Sequence, residues 1–283
     1  MGVRLVNRAG RAGLDCDGRF VDVAERSEGR FPADPMAVIA AWSEFCAWAK
    51  DIRAGADDPA LDESELGPCV PRPSKVFGVG LNYRAHAAEA GLDLPKQPMI
   101  FTKFPNCLAG PRADVALTSE RVDYEVELVA VIGRPARRVE GADAMEYVAG
   151  YCVGQDISDR ALQFSDKPPQ FSMGKSADGY GPIGPALVEL AAFDDPDDVP
   201  LWCEVSGERL QEDRTRDMIF SVAELVAFLS RYCALEPGDL IFTGTPSGVG
   251  SVRDPRRYLK PGDEITSHIP GIGTLHNRCV ADG

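Results

Sequence analysis

From Lys75 onward the apolar residues fall into short β-like runs separated by glycine and proline, and each run predicts a strand. The runs are Val76–Val79, Met99–Lys103, Glu125–Ile132, Gly150–Gln155, Leu201–Val205, Leu240–Phe242 and Glu264–Ile269. Helical periodicity is clearest at Ser221–Leu229, where Val222, Leu225, Val226 and Leu229 share a face behind a Ser221-x-x-Glu224 capping box. Before this β-rich part the pattern predicts a strand pair around Leu5 and Phe20–Val23, a helix over Pro35–Trp48 and an acidic loop, Asp57–Glu65. The stretch Pro68-Cys-Val-Pro-Arg-Pro73 reads as a linker. Two Leu-x-Pro-Gly-Asp segments, ending at Asp239 and Asp263, specify type II turns and read as structural punctuation.

This pattern predicts an α+β chain in two parts, a small N-terminal α/β domain with linker over 1–70 and a β-rich domain over 71–283. With 283 residues, 44% of them hydrophobic, one sizeable core is within reach. A net charge of −14 repels polyanions, so nucleic acid is not an expected partner, and an anionic substrate needs local cations or a metal. Eight cysteines without a C-x-x-C pair, and no apolar run near the roughly 18 residues of a membrane span, lead to the expectation of a reduced, cytoplasmic protein without membrane attachment.

Asp123-Tyr-Glu-Val-Glu-Leu-Val-Ala-Val-Ile-Gly133 is apolar on both strand faces, as in a buried strand, yet carries Glu125 and Glu127 on one face. Two buried parallel carboxylates need a cation. The alternative is an edge strand with both glutamates in water. A second apolar run, Tyr151-Cys-Val-Gly-Gln-Asp156, also ends in an acid just before a helix-start signal at Ser158, so Asp156 is either a third ligand or a helix cap. Three strand-end carboxylates suit Mg²⁺ or Mn²⁺. With only His86, His268 and His276 in the chain, a zinc site of several imidazoles is not expected.

His86 and Glu89, three apart on a predicted helical turn closed by Gly91, can form a base and its orienting carboxylate, or simply a solvated surface pair. Lys175 lies in a Gly-rich loop, Phe171 to Pro185, where it could face a developing anion or be an ordinary exposed lysine. Arg160 and Gln163 share a helix face and could reach a substrate carboxylate. The loop Thr243-Gly-Thr-Pro-Ser-Gly-Val-Gly250 offers hydroxyls and amides but lacks P-loop spacing, and Gly78-Val-Gly-Leu-Asn-Tyr83 lacks the third glycine of a dinucleotide fingerprint.

In this order the segments resemble the fumarylacetoacetate hydrolase family over residues 75 to 280. The motifs that carry it are Gly78-Val-Gly-Leu-Asn-Tyr-Arg-Ala-His86, Asp123 to Gly133, Gly150-Tyr-Cys-Val-Gly-Gln-Asp-Ile-Ser-Asp-Arg160, Gly174-Lys-Ser-Ala-Asp-Gly179 and Phe242 to Gly250. The likeness is to the bacterial, acylpyruvase-like branch. It implies a mixed-sheet fold with a β-roll catalytic core, a homodimer, and Mg²⁺ or Mn²⁺ held by Glu125, Glu127 and Asp156. It likewise implies His86 with Glu89 as the water-activating pair on a lid, Lys175 beside the substrate, and Arg160, Gln163 and Thr245 lining the site. The longer branch has a further acidic ligand before the histidine, in a segment where this chain has Asn82 and no acid.

The chemistry so implied is hydrolysis of a 2,4-dioxo acid, an acylpyruvate or diketo sugar acid, to pyruvate and a carboxylic acid. The same metal-enolate platform suits oxaloacetate decarboxylation or the hydration or isomerisation of a 2-oxo-alkenoate. A non-catalytic small-molecule-binding scaffold is the alternative from another class.

Overall fold

The computed structural model describes residues 2–283. Strand Val126–Ile132 is its centre: every residue is buried, and it pairs antiparallel with Val148–Gln155 on one side and Leu240–Phe242 on the other. The edge-strand alternative for the two glutamates is thereby overturned. Its two faces enter two different cores. Val126, Leu128, Ala130 and Ile132 pack with Leu201, Val205, Ile265 and Leu229, while Val129 and Val131 pack with Val38, Ile39 and Phe45. Burial on both faces is why the run lacks polar alternation.

Around this centre a ten-stranded mixed sheet runs from Arg19–Asp22 through Arg11–Cys16, Arg4–Arg8, Gly181–Glu189 and Val148–Gln155 to Val76–Gly80 and Met99–Thr102. A five-stranded sheet, Glu208–Arg214, Pro200–Val205, Glu264–Ile269, Gly273–Ala281 and Val115–Leu117, covers one of its faces. The result is an α+β fold of mixed sheets without a closed barrel. The strands before the linker are part of the large sheet, because Arg4–Arg8 is hydrogen-bonded to Gly181–Glu189.

Several local expectations are met, and two are corrected. The helix Val222–Tyr232 is capped as predicted, with Ser221 Oγ accepting from Glu224 N and Glu224 Oε2 accepting from Ser221 N at 2.8 Å. Gly238 and Gly262 take φ of 88° and 92°, as the second central residue of a type II turn must. The predicted helix Pro35–Trp48 is instead two, Pro35–Ala40 and Trp42–Ala49, broken where Ala41 leaves helical geometry. Just past the break, Trp42 Nε1 donates to Ala149 O at 2.7 Å, a tertiary contact outside the range of periodicity. The Gly-rich segment read as a loop from Phe171 to Pro185 contains the short helix Phe171–Gly174 and the start of the buried strand Gly181–Glu189. No helix among the described residues is long and apolar enough to cross a membrane.

Candidate active site

Glu125 and Glu127 leave the N-terminal end of the central strand, and Asp156 follows the C-terminal end of its antiparallel neighbour, so the pairing brings the three acids together. The backbone is pinned there by Asp156 N donating to Glu125 O and Glu125 N donating to Gln155 Oε1, both at 2.9 Å. One oxygen from each carboxylate lies within 4.8 Å of the others, and all three residues are buried. Asp156 is not a helix cap. That role belongs to Asp159, whose side chain accepts from Ala161 N and Leu162 N.

Three buried cations answer these acids. Lys175 Nζ donates to Glu125 Oε2 at 2.5 Å and Asp156 Oδ2 at 2.6 Å, which removes the exposed-loop alternative for this lysine. Arg160 donates to Asp123 Oδ2 at 2.9 Å, Glu125 Oε1 at 2.5 Å and Gln163 Oε1 at 2.9 Å. Lys103, 1% exposed, donates to Asp156 Oδ1 at 2.7 Å, Tyr180 O at 3.1 Å and the carbonyl of Lys175, which uses all three of its protons. Asp123 is fixed further by the amides of Gly250 and Ser251.

Among the described residues four acids therefore face three bases, and the surplus falls on Glu127, whose side chain accepts only the Gly244 amide there, at 2.8 Å. Burial, then the charges of Asp156 and Glu125, push its carboxyl well above the usual range. Burial pushes Glu125 up as well, but Lys175 and Arg160 outweigh it and hold this carboxyl below the usual range. A cluster of hard oxygen donors with one uncompensated acid fits a divalent cation, which supplies the missing charge.

Across the same cavity stands the predicted pair. His86, on the short helix Arg84–Glu89 closed by Gly91 at φ 66°, places Nδ1 2.7 Å from Glu89 Oε1, which leaves Nε2 as the free nitrogen. Glu89 in turn accepts the Gly248 amide at 2.9 Å, so the pair is built into the fold. Asn82, in the segment before the histidine that holds no acid in this chain, is buried and structural: it donates to Phe220 O and Thr243 O and accepts from Phe220 N.

Eight of the nine residues singled out in the sequence line one cavity of about 350 Å³, and Glu89 stands behind His86. Thr245 lines it too, but its hydroxyl donates to Val126 O and accepts from Gln211, so it stabilises the strand end. A larger cleft of about 690 Å³, between the N-terminal strands and the turn at Gly273, contains none of the nine and gathers no comparable set of buried acids. Sequence reasoning missed Lys103 and Gln211 and left Asp123 without a role. The signal for Asp123 was its place in the same apolar strand motif; Lys103 gave none.

The family model for the fumarylacetoacetate (FAA) hydrolase C-terminal domain matches residues 75–280. The Dictyostelium discoideum homolog of fumarylacetoacetate hydrolase domain-containing protein 2 is 44% identical over 216 residues, 72% of this chain and 71% of that protein. Among solved structures, the 2-hydroxyhepta-2,4-diene-1,7-dioate isomerase of Mycobacterium marinum is 31% identical with a TM-score of 0.76, covering 99% of both chains. The maleylpyruvate hydrolase of Sphingobium sp. SYK-6, solved with manganese(II) and pyruvate, is 25% identical with a TM-score of 0.81, covering 99% of this chain and all of the other.

Proposed function

Because the chain belongs to the fumarylacetoacetate hydrolase family, whose members include hydrolases and isomerases, we propose that it is a divalent-metal-dependent hydrolase acting on the C3–C4 bond of a 2,4-dioxo acid. The observation that carries the reading is the His86–Glu89 pair set in one cavity with a buried acid triad. Decarboxylation needs no such base, and double-bond migration would use one to move a proton between carbons, not to activate water.

Glu125, Glu127 and Asp156 are the residues that would hold Mg²⁺ or Mn²⁺. Bound there, the ion would supply fixed positive charge to a substrate's 2-oxo oxygen as that oxygen becomes an enolate. Glu89 holds the imidazole with its proton on Nδ1, so that Nε2 can take a proton from water. The resulting hydroxide adds to C4, the C3–C4 bond breaks, and its electron pair goes to C3 as the enolate of pyruvate. Returning the proton to C3 gives pyruvate, and the C4 fragment leaves as a carboxylic acid. Lys175, fixed between Glu125 and Asp156, keeps a positive charge beside this end of the cavity. Arg160 and Gln163 orient the polar end of the substrate.

An isomerase reading is favoured by the Mycobacterium marinum neighbour and differs in one requirement, since isomerisation adds no water. The test is pyruvate release from acetylpyruvate by the metal-loaded chain and its Glu89→Gln variant. Hydrolysis depends on Glu89; an isomerase releases no pyruvate from this compound in either form. The reading extends to a homodimeric, cytoplasmic enzyme of small 2-oxo acids, and light scattering checks the dimer.

A further inference from the structure

The cavity is chemically two-sided. Its charged side chains lie at one end, where Arg160 is committed to Asp123 and Glu125, and Lys175 to Glu125 and Asp156. From Lys175 a row of aromatic rings leads away. Its ammonium lies 5.0 Å from the Phe101 ring, Phe101 meets Phe171 edge-on at 5.9 Å, and Phe171 meets Phe164 edge-on at 6.3 Å. At the outer end Phe164 is 58% exposed and Leu92 57%.

Nine large hydrophobic side chains are exposed among the described residues, and four of them, Leu92, Met99, Phe164 and Val252, line this one cavity. Singly scattered, such residues carry no meaning; gathered around a cavity they form a patch that a ligand relieves of water. No uncommitted lysine or arginine lines that wall among the described residues. A second carboxylate placed against that wall would lose part of its hydration without a counter-charge.

We propose that the part of the substrate beyond C4 is an uncharged alkyl or aryl group, so that the chain takes acylpyruvates with apolar tails and discriminates against those ending in a second carboxylate. The polar end of that substrate rests on the hydrolase reading; the apolar end rests on the wall itself.

Two measurements separate the claims. In the first, calorimetry on the Mn²⁺-loaded chain compares 2-oxo acids of increasing length and sets 2-oxoheptanoate against 2-oxohexanedioate. Affinity should rise roughly fourfold per methylene until the wall is covered. The dicarboxylate should bind at least about 100-fold more weakly than its apolar match. In the second, kcat/KM for pyruvate release is compared between pentanoylpyruvate and succinylpyruvate, with the same ranking expected. Phe164→Arg, or Leu92→Arg as a second exposed position, should narrow both ratios by at least about tenfold by giving the carboxylate a partner.

Equal or tighter binding of the dicarboxylate, or affinity independent of chain length, overturns the proposal. If the binding series ranks as expected while neither acylpyruvate is cleaved, the hydrolase reading fails and the apolar tail stands. If both are cleaved with equal kcat/KM, the tail proposal fails and the hydrolase reading stands.

Discussion

Glu89 joins His86 to the loop Thr243–Gly250, accepting from Gly248 N at 2.9 Å while its other oxygen lies 2.7 Å from His86 Nδ1. One carboxylate thus sets both the tautomer and the direction of the imidazole. His86→Ala should lower kcat for acylpyruvate hydrolysis on the order of 10²–10⁴-fold, the range of a lost general base. Glu89→Gln should lower it by at least about tenfold, because a neutral amide no longer pairs with the positive charge that forms on the imidazole when it takes a proton from water. Steady-state kinetics check both; unchanged kcat for Glu89→Gln contradicts the orienting role.

Gly248 tests the same relationship through the backbone. Its φ of 103° lies where L side chains are strained, and an added Cβ would overlap the Leu210 carbonyl. Gly248→Ala should therefore cost about 1–3 kcal/mol of stability and displace the amide that holds Glu89. Denaturant unfolding reads the first effect. Turnover reads the second and should fall in a variant that still folds.

The acid triad was legible because its signal is local: an apolar strand that admits two carboxylates on one face contradicts itself unless something compensates them. The capping box and the two Pro-Gly turns were legible for the same reason, since their chemistry spans four residues. Lys103 was not. A lysine before Phe104-Pro105 reads as a wet strand end, and only closure of the sheet brings it to Asp156 and Lys175, 53 and 72 residues away. The strands Arg11–Cys16 and Gly181–Glu189 were hidden by glycines and prolines that their place in the sheet accommodates. The break at Ala41 within the expected helix Pro35–Trp48 was not legible, because periodicity does not register the anchoring of Trp42 on Ala149.

Lys103→Met separates scaffold from chemistry. The side chain is buried beside Asp156 and replaces water for three acceptors, so its loss leaves Asp156 Oδ1 and the Lys175 carbonyl without their donor, while Asp156 Oδ2 keeps Lys175 and the Tyr180 carbonyl keeps the Ile157 amide. The expected destabilisation is about 3–5 kcal/mol by urea unfolding of the metal-free protein. A change under about 1 kcal/mol would show that water replaces the ammonium.

His268 gives the protein an acid-sensitive step away from the site. It stacks on Trp202 with ring centres 5.0 Å apart and bonds Thr274 Oγ1 at 2.8 Å. Burial first, then the charges of Arg209 and His276, lower its pKa below 6.5. The unfolded chain therefore takes up this proton before the folded one. The contribution is fully present above pH 6.5 and is lost as pH falls below it toward the folded value. Melting temperatures between about pH 7.5 and 5.5 should fall less in His268→Gln than in the parent protein; equal slopes contradict the assignment.

The central claim is that Glu125, Glu127 and Asp156 hold the divalent ion on which C–C cleavage depends. It is tested most directly by titrating chelator-stripped protein with Mn²⁺ while recording pyruvate release from an acylpyruvate. Turnover should be absent without metal, rise with added Mn²⁺ and saturate near one ion per chain. Full turnover in excess chelator would contradict the account.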